Sequence, residues 1–385
     1  MTDTIDLSIR DQFPILAKKN YLVSHSLGAM PVGAREGLVR YADEWETKGV
    51  VAWEEGWWEL PVTIGDKVGA IIGAPRGSVG MQPNVSLATG VFLSSLPFDG
   101  KRNKIVTTEM NFPTNLYLFE GWESLGARVV RVPANDDVIV DTEKLLAAID
   151  GETQVVAISH VLFRSSYIQD VAAVVAKAHE AGALVLIDVY QSAGTVPFDV
   201  IDLGVDAAVG GCLKWLCGGP GNAFLYVRPD RARELKPRLT GWQSHEKPFA
   251  FDAGSFKRAE GAWRFLTGTP TIATMRAAEA GLDIVHAVGM DSIRAKSLRL
   301  TRLILDRCER EGWPVKSPRD DAVRGGTVTI ALREAEQLKD ELIRRDILVD
   351  YRPKAGVRIA PHFYNTDDEV TAALDAIASI VSDAR

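Results

Sequence analysis

From about residue 34, apolar and polar positions recur at helical spacing in "AREGLVRYADEWETKG", and again in "ELPVTIGDKVGAIIGA", which ends at the turn "PRGS". Between residues 100 and 230 the rhythm changes. Short apolar runs ("NKIVTT", "ARVVRVP", "TQVVAIS", "ALVLID", "DAAVGG", "NAFLYV") alternate with amphipathic stretches ("NLYLFEGWESLG", "TEKLLAAID", "VAAVVAKAHEAG"). Strands alternating with helices build parallel crossover units, so the pattern predicts an α/β, doubly wound, mainly parallel sheet with helices on both faces. Such a sheet binds ligands at the carboxyl ends of its strands. After a helical pattern through "TIATMRAAEAGLDIVHAVG" and a long one in "DSIRAKSLRLTRLILDRCEREG", the runs "GGTVTIAL", "AEQLKDELIRRD", "ILVDYR", "GVRIA" and "DDEVTAALDAIASIVSDA" predict a smaller α+β domain. The boundary falls near residue 285.

Composition narrows the function classes. The chain has 385 residues, of which 46% are hydrophobic and 25% charged, the profile of an ordinary globular protein with a large core. A formal charge of -7 and the absence of a basic run argue against a nucleic-acid partner. No apolar run approaches bilayer length, and the start "MTDTIDLSIRDQFP" has no signal-like pattern, so a cytoplasmic location and no membrane partner are expected. The three cysteines, Cys212, Cys217 and Cys308, show no metal-type pairing, so no metal site is expected.

The candidate chemistry begins at "GGCLKWLCGGPGNAFLYV", where Lys214 stands alone among small, apolar and glycine residues. An ammonium in such surroundings is costly and its pKa tends to fall, which makes lysine a nucleophile toward carbonyls. Snorkelling from a buried strand or pairing with a distant carboxylate are the structural alternatives. Asp188 ends the most apolar strand, "ALVLID", and therefore belongs at the ligand-binding edge. An amine for a Schiff base and a counter-ion for a pyridinium nitrogen are what pyridoxal 5'-phosphate requires of a protein.

The run "IDVYQSAGTVPFDVIDLGVDAAVGGCLKWLCGGPG" resembles the core of the class V aminotransferase superfamily of fold type I pyridoxal-phosphate enzymes, with the kynureninases as the nearest likeness. Further matches are "YLVSHSLGAMP", "NFPTNLY", "GWQSH", "RFLTGTPTI" and "GVRIAPHFYNT", in the family's order. The resemblance implies Lys214 as Schiff-base lysine and Asp188 as partner of the ring nitrogen. It implies Phe112 stacked on the ring, Ser159 and Gln191 near the 3′ oxygen, Asn115 in the loop after Phe112, and Ser86 with the backbone of Leu87 at the phosphate. Trp242 and Thr269 are implied as contacts from a neighbouring subunit, hence a homodimer with shared sites. Arg358 is implied for the substrate α-carboxylate, with His25 and Ser26 on the substrate side. The implied organisation is an N-terminal segment (1–60) serving the small domain and dimer, a large cofactor domain (61–285) and a small domain (286–385).

Four positions depart from kynureninases: Leu213 replaces a tyrosine, Gln191 a histidine, Asn115 an aspartate and Thr269 an asparagine. Losing the phenol matters most, because cleaving a Cβ–Cγ bond needs an acid to protonate the carbon left behind. The expected function is therefore a kynureninase-like side-chain lyase or hydrolase, acting on an α-amino acid through a Schiff base and a Cα carbanion, with a substrate other than kynurenine. The alternatives are a class V aminotransferase, a cysteine desulfurase-like C–S lyase, and a non-catalytic binding or regulatory protein of the same fold. "SPRDDAVRGG" contains no thiol, which disfavours the desulfurase. No GxGxxG stands at a first strand-to-helix turn, which disfavours a dinucleotide enzyme.

Overall fold

The computed structural model describes residues 5–383 except 253 and 255. Its centre is a seven-stranded sheet: β1 (Val79–Gln82), β2 (Lys104–Thr108), β3 (Arg128–Val132), β4 (Thr153–Ser159), β5 (Leu184–Asp188), β6 (Ala207–Gly211) and β7 (Ala223–Val227). The spatial order is β1-β7-β6-β5-β4-β2-β3, and β7 alone runs antiparallel to its neighbours. β4, β5, β6 and β7 are buried almost throughout, as expected of strands covered on both faces. Two apolar clusters lie on the opposite faces of this sheet: Val156, Ile158, Val185 and Ile187 point into one, Val155, Ala157 and Leu186 into the other.

The doubly wound prediction holds, with two differences. β1 was not anticipated, because "VGMQ" is short and merges into the following helix. β7 is antiparallel because only "CLKWLCGGPGN", too short and too glycine-rich for a crossover helix, separates it from β6.

A second, three-stranded antiparallel sheet follows: β8 (Val328–Ile330), β9 (Asp350–Arg352) and β10 (Gly356–Ile359), in the order β9-β10-β8. The helices Met290–Glu311, Ala335–Arg344 and Asp367–Asp383 contribute Leu300, Ile304, Leu338, Leu342, Val370 and Leu374 to its core. The N-terminal segment joins this unit: Asn20–Tyr21 pairs in parallel with Ile347–Leu348, and Arg10 binds Glu369 at 2.6 Å. It then turns toward the large sheet, where the Gly28 amide donates to the Leu213 carbonyl at 2.9 Å. A Cβ at Gly28 would lie 2.1 Å from the Lys214 carbonyl oxygen, so only glycine permits this approach.

Behind the Lys214 loop runs the helix Ile272–Val288, whose Gly281 faces the backbone of that loop. A Cβ there would come within 2.5 Å of the carbonyl oxygens of Leu216 and Cys217, atoms that no rotamer change can move. Gly281→Ala is expected to destabilise the protein by about 1–3 kcal/mol, read as a lowered midpoint in urea unfolding. An unchanged midpoint would show that the loop shifts freely.

Candidate active site

β5 delivers Asp188 to the carboxyl edge of the sheet, opposite Ser159 at the end of β4. The Asp188 carboxylate accepts from the Asn115 amide at 2.8 Å and from the Tyr190 backbone N–H at 2.9 Å. Burial pushes its pKa upward, opposed by those two donors and by Lys214. An ionised carboxylate can accept more than two hydrogen bonds, so capacity remains for a further donor.

Lys214 is half-buried in the turn after β6. Burial pushes its pKa down to about 8; Arg358 and Arg352 add repulsion, while Asp188 and Asp350 pull the other way. Its Nζ lies 4.3 Å from the ring centroid of Tyr190 and 5.6 Å from that of Phe112. Lys214 and Asp188 form no ion pair among the described residues, yet both line one cavity of about 320 Å³. Phe112, Asn115, Ser159, Gln191, Ser86 and Leu213 line the same cavity.

At one end of the cavity the helix Val85–Leu93 begins, with Asn84 as its cap. The N-terminus of a helix favours an anion through its free amides and dipole. The cap changes one expectation. Asn84 Oδ1 accepts from the Leu87 amide at 2.9 Å, so that N–H is already used, and Leu87 is not among the residues lining the cavity. Ser86 remains the phosphate candidate here.

Gln191 sits between two anchors: its Nε2 donates to the His25 carbonyl at 3.1 Å, and its Oε1 accepts from the Trp215 indole at 3.1 Å. One amide hydrogen stays available toward the cavity.

On the small-sheet side Arg358 is fully buried and does not offer a free fork. Its Nε and Nη2 donate to Asp350 at 2.8 and 2.6 Å, Nη1 to the Phe163 carbonyl at 2.6 Å, and Nη2 also to Ser26 Oγ at 3.1 Å. Ser26 Oγ in turn donates to Asp350, and His25 Nε2 bonds Asp350 at 2.9 Å. Burial and then Arg358 push His25 down to about 4, so the ring is neutral at neutral pH. Burial favours the neutral form of Asp350, but its bonds hold the carboxyl far below the usual range; with His25 neutral, Arg358 does that work. An arginine has five N–H groups and four of these contacts are made, leaving one Nη1 hydrogen without a partner among the described residues.

Sequence reasoning therefore placed Arg358, His25 and Ser26 together but missed Asp350, which joins them. A hairpin reading of "ILVDYRPKAGVRIA" would have found it, because Asp350 lies directly across from Arg358 in the β9–β10 ladder. Trp242 and Thr269 do not line this chain's own cavity. Trp242 packs against Trp58, Phe249 and Phe251 with a third of its surface exposed, and Thr269 is exposed.

The donor set fits pyridoxal phosphate: an amine of lowered pKa, a buried carboxylate with spare capacity, an aromatic ring and a helix N-terminus share one cavity. The Asn115 Oδ1 there is buried without a partner. The fold is that of the fold type I pyridoxal-phosphate enzymes, and this cavity is the candidate for their cofactor. The comparisons with known proteins make the assignment more specific. The family model described as aminotransferase class-V matches residues 85–372. The Pseudomonas fluorescens protein named kynureninase is 33% identical over 97% of this chain and 92% of its own length. That of Burkholderia pseudomallei (strain K96243) is 35% identical over 89% and 84%. Among solved structures, the apo cysteine desulfurase from Thermococcus onnurineus NA1 superposes with a TM-score of 0.86 at 20% identity, covering 98% of each chain, a likeness of fold. The chain belongs to the class-V aminotransferase family, and it is a pyridoxal-phosphate-dependent enzyme.

The free amine of Lys214 is the form that attacks an aldehyde. In cofactor-free protein, the rate of imine formation with pyridoxal phosphate should rise about tenfold per pH unit and level off near pH 8. Stopped-flow absorbance from pH 6 to 10 checks this. A rate still climbing tenfold per unit at pH 10 would mean an ordinary, solvated lysine.

Proposed function

We propose that the protein cleaves the side chain of an α-amino acid in the manner of a kynureninase, on a substrate other than kynurenine. The observation that carries the reading is that Lys214 and Asp188 line one cavity, to which the Arg358 network is joined through the Phe163 carbonyl and through His25 and Gln191. Relatives named kynureninase support the reaction type, and Leu213, lining the cavity where kynureninases carry a phenol, supports the different substrate.

Bound in this cavity, pyridoxal phosphate supplies an electron sink for the charge that develops at the substrate Cα. Asp188 would be held ionised by a protonated ring nitrogen opposite it, and would in turn keep that proton in place and maintain the sink. Asn115 holds the carboxylate in place. Phe112 would cover one face of the ring, Ser159 and Gln191 would address the 3′ oxygen, and Ser86 with the helix N-terminus would take the phosphate. Lys214 would hold the cofactor through its amine and, with that amine free, would take the Cα proton as a base. Arg358 steers the α-carboxylate with the hydrogen that Asp350, Ser26 and Phe163 leave open, and with its charge.

A cytoplasmic homodimer completes the proposal. Among the described residues no helix is long and apolar enough to cross a membrane. An apolar hollow of about 790 Å³, flanked by the exposed Leu27, Met30, Val32 and Leu38, shares Pro220 and Asn222 with the cofactor cavity. A second copy seated there would bring its own Trp242 and Thr269 toward the phosphate. Sedimentation should give twice the 42.0 kDa chain mass; a monomer retaining full activity would remove the shared site.

Products decide the reaction. With the loaded protein and a panel of amino acids including L-kynurenine, release of alanine, or of pyruvate with ammonia, is expected. Accumulation of pyridoxamine phosphate and a 2-oxo acid that keeps the original side chain would overturn the proposal in favour of transamination. L-kynurenine turning over faster than the other amino acids would overturn the argument from Leu213. Lys214→Ala should abolish both the visible absorption band and turnover.

A further inference from the structure

Side-chain cleavage requires a proton donor, and the residue before Lys214 cannot be one. Among the described residues that line the cofactor cavity, three titrate: Asp188, Lys214 and Tyr190. Asp188 is committed to the ring nitrogen and held by two donors. Lys214 is committed to Cα. Tyr190 remains.

Its placement is specific. Two residues beyond Asp188, its backbone N–H closes the turn onto that carboxylate. Its ring lies 4.3 Å from Lys214 Nζ, so whatever reacts at that nitrogen is beside the phenol. The hydroxyl has no hydrogen-bond partner among the described residues. The fold also makes room for it: a Cβ at Gly211 would stand 2.5 Å from the Tyr190 hydroxyl oxygen and 2.6 Å from Cζ. Gly211 lies within β6 and is not among the glycines of positive φ, so its lack of a side chain serves space rather than backbone angle. A phenol at 190, a bare strand at 211 and an aliphatic residue at 213 are three sequence choices that agree.

Resting on the side-chain-cleavage reading above, we propose that Tyr190 is the catalytic acid that protonates Cβ when the Cβ–Cγ bond breaks. In this step water adds its hydroxyl to Cγ, the carbonyl carbon of an acyl side chain, and as the C=O bond re-forms the Cβ–Cγ bond breaks with its pair left on Cβ. The O–H bond of Tyr190 breaks and its proton forms the new Cβ–H bond. The proton released by water restores the phenol, while Lys214 holds the Cα proton and returns it. Burial raises the phenol's pKa, so it is protonated at neutral pH, the form an acid needs. The neighbouring Lys214 ammonium stabilises the phenolate that forms transiently.

Hydrogen exchange into L-alanine in D2O separates the two proton-transfer roles without knowledge of the substrate. Wild-type holoenzyme is expected to exchange both the Cα hydrogen and the methyl hydrogens. Tyr190→Phe, which keeps the ring packed against Gly211, should exchange Cα within about threefold of wild type but lose methyl exchange by about 10²–10⁴-fold. Leu213→Tyr in the Tyr190→Phe background should recover part of it. Methyl exchange in Tyr190→Phe at the wild-type rate would overturn the role of Tyr190 and leave the cleavage reading standing. Equal loss of Cα and methyl exchange would also overturn it, since the phenol would then act on Lys214 rather than Cβ. A wild type that exchanges Cα but never the methyl group would sink the cleavage reading itself.

Discussion

The site depends on withdrawing an amine and a carboxylate from water on either side of one cavity. Each is costly alone: burial raises Asp188 and lowers Lys214. They share the surroundings without collapsing onto each other as an ion pair, because each is held by something else. Asp188 is pinned by Asn115 and the Tyr190 amide, and Lys214 leans on two aromatic rings. A direct salt bridge would satisfy both groups and close the space a cofactor ring requires. The unfilled electrostatic demand is what makes the cavity receptive.

A second constraint ties that cavity to the small sheet. Residues 23–28 run between the two sheets and contact both. The His25 carbonyl fixes Gln191, its ring fixes Asp350, Ser26 bonds Asp350 and Arg358, and Gly28 lies against the Lys214 loop. The small sheet is thus joined to the carboxyl edge of the large one through buried hydrogen bonds rather than loose apolar packing. Such bonds are geometrically demanding, and leaving one unmade costs about 1–3 kcal/mol. Arg358 is consequently fixed in orientation by this chain alone, with Asp350 neutralising much of its charge.

The sheet was legible in the sequence because strands buried on both faces are continuous apolar runs, and "TQVVAIS", "ALVLID" and "NAFLYV" stand out against amphipathic helices. Strand direction was not legible in the same way: it follows from connection length, and the reversal of β7 hides in a short glycine-rich loop. Lys214 and Asp188 were legible because a charge at the end of an apolar run has few structural excuses. Asp350 was not, because its importance comes from a cross-strand pairing with Arg358 and from His25, which is 325 positions away. Leu87 illustrates a competition that family position does not reveal. Family position gave its amide to the phosphate, but a cap residue three positions earlier competes for the same hydrogen, and the cap holds it here.

Within one fold, the fate of the common Cα carbanion turns on where the next proton donor stands. Nothing in the Asp188–Lys214 pair selects between returning a proton to the cofactor and delivering one to the side chain, since both routes need the same base and the same sink. Selection must come from a third group that reaches one carbon and not the other. In this chain the residue adjoining the lysine has given up that capacity at Leu213, while the strand next to it carries a phenol at Tyr190 in space cleared by Gly211. The donor has been moved from one strand end to its neighbour rather than removed. A pocket that relocates its acid changes the angle from which a side chain is protonated, and with it the shape of side chain that can be cleaved.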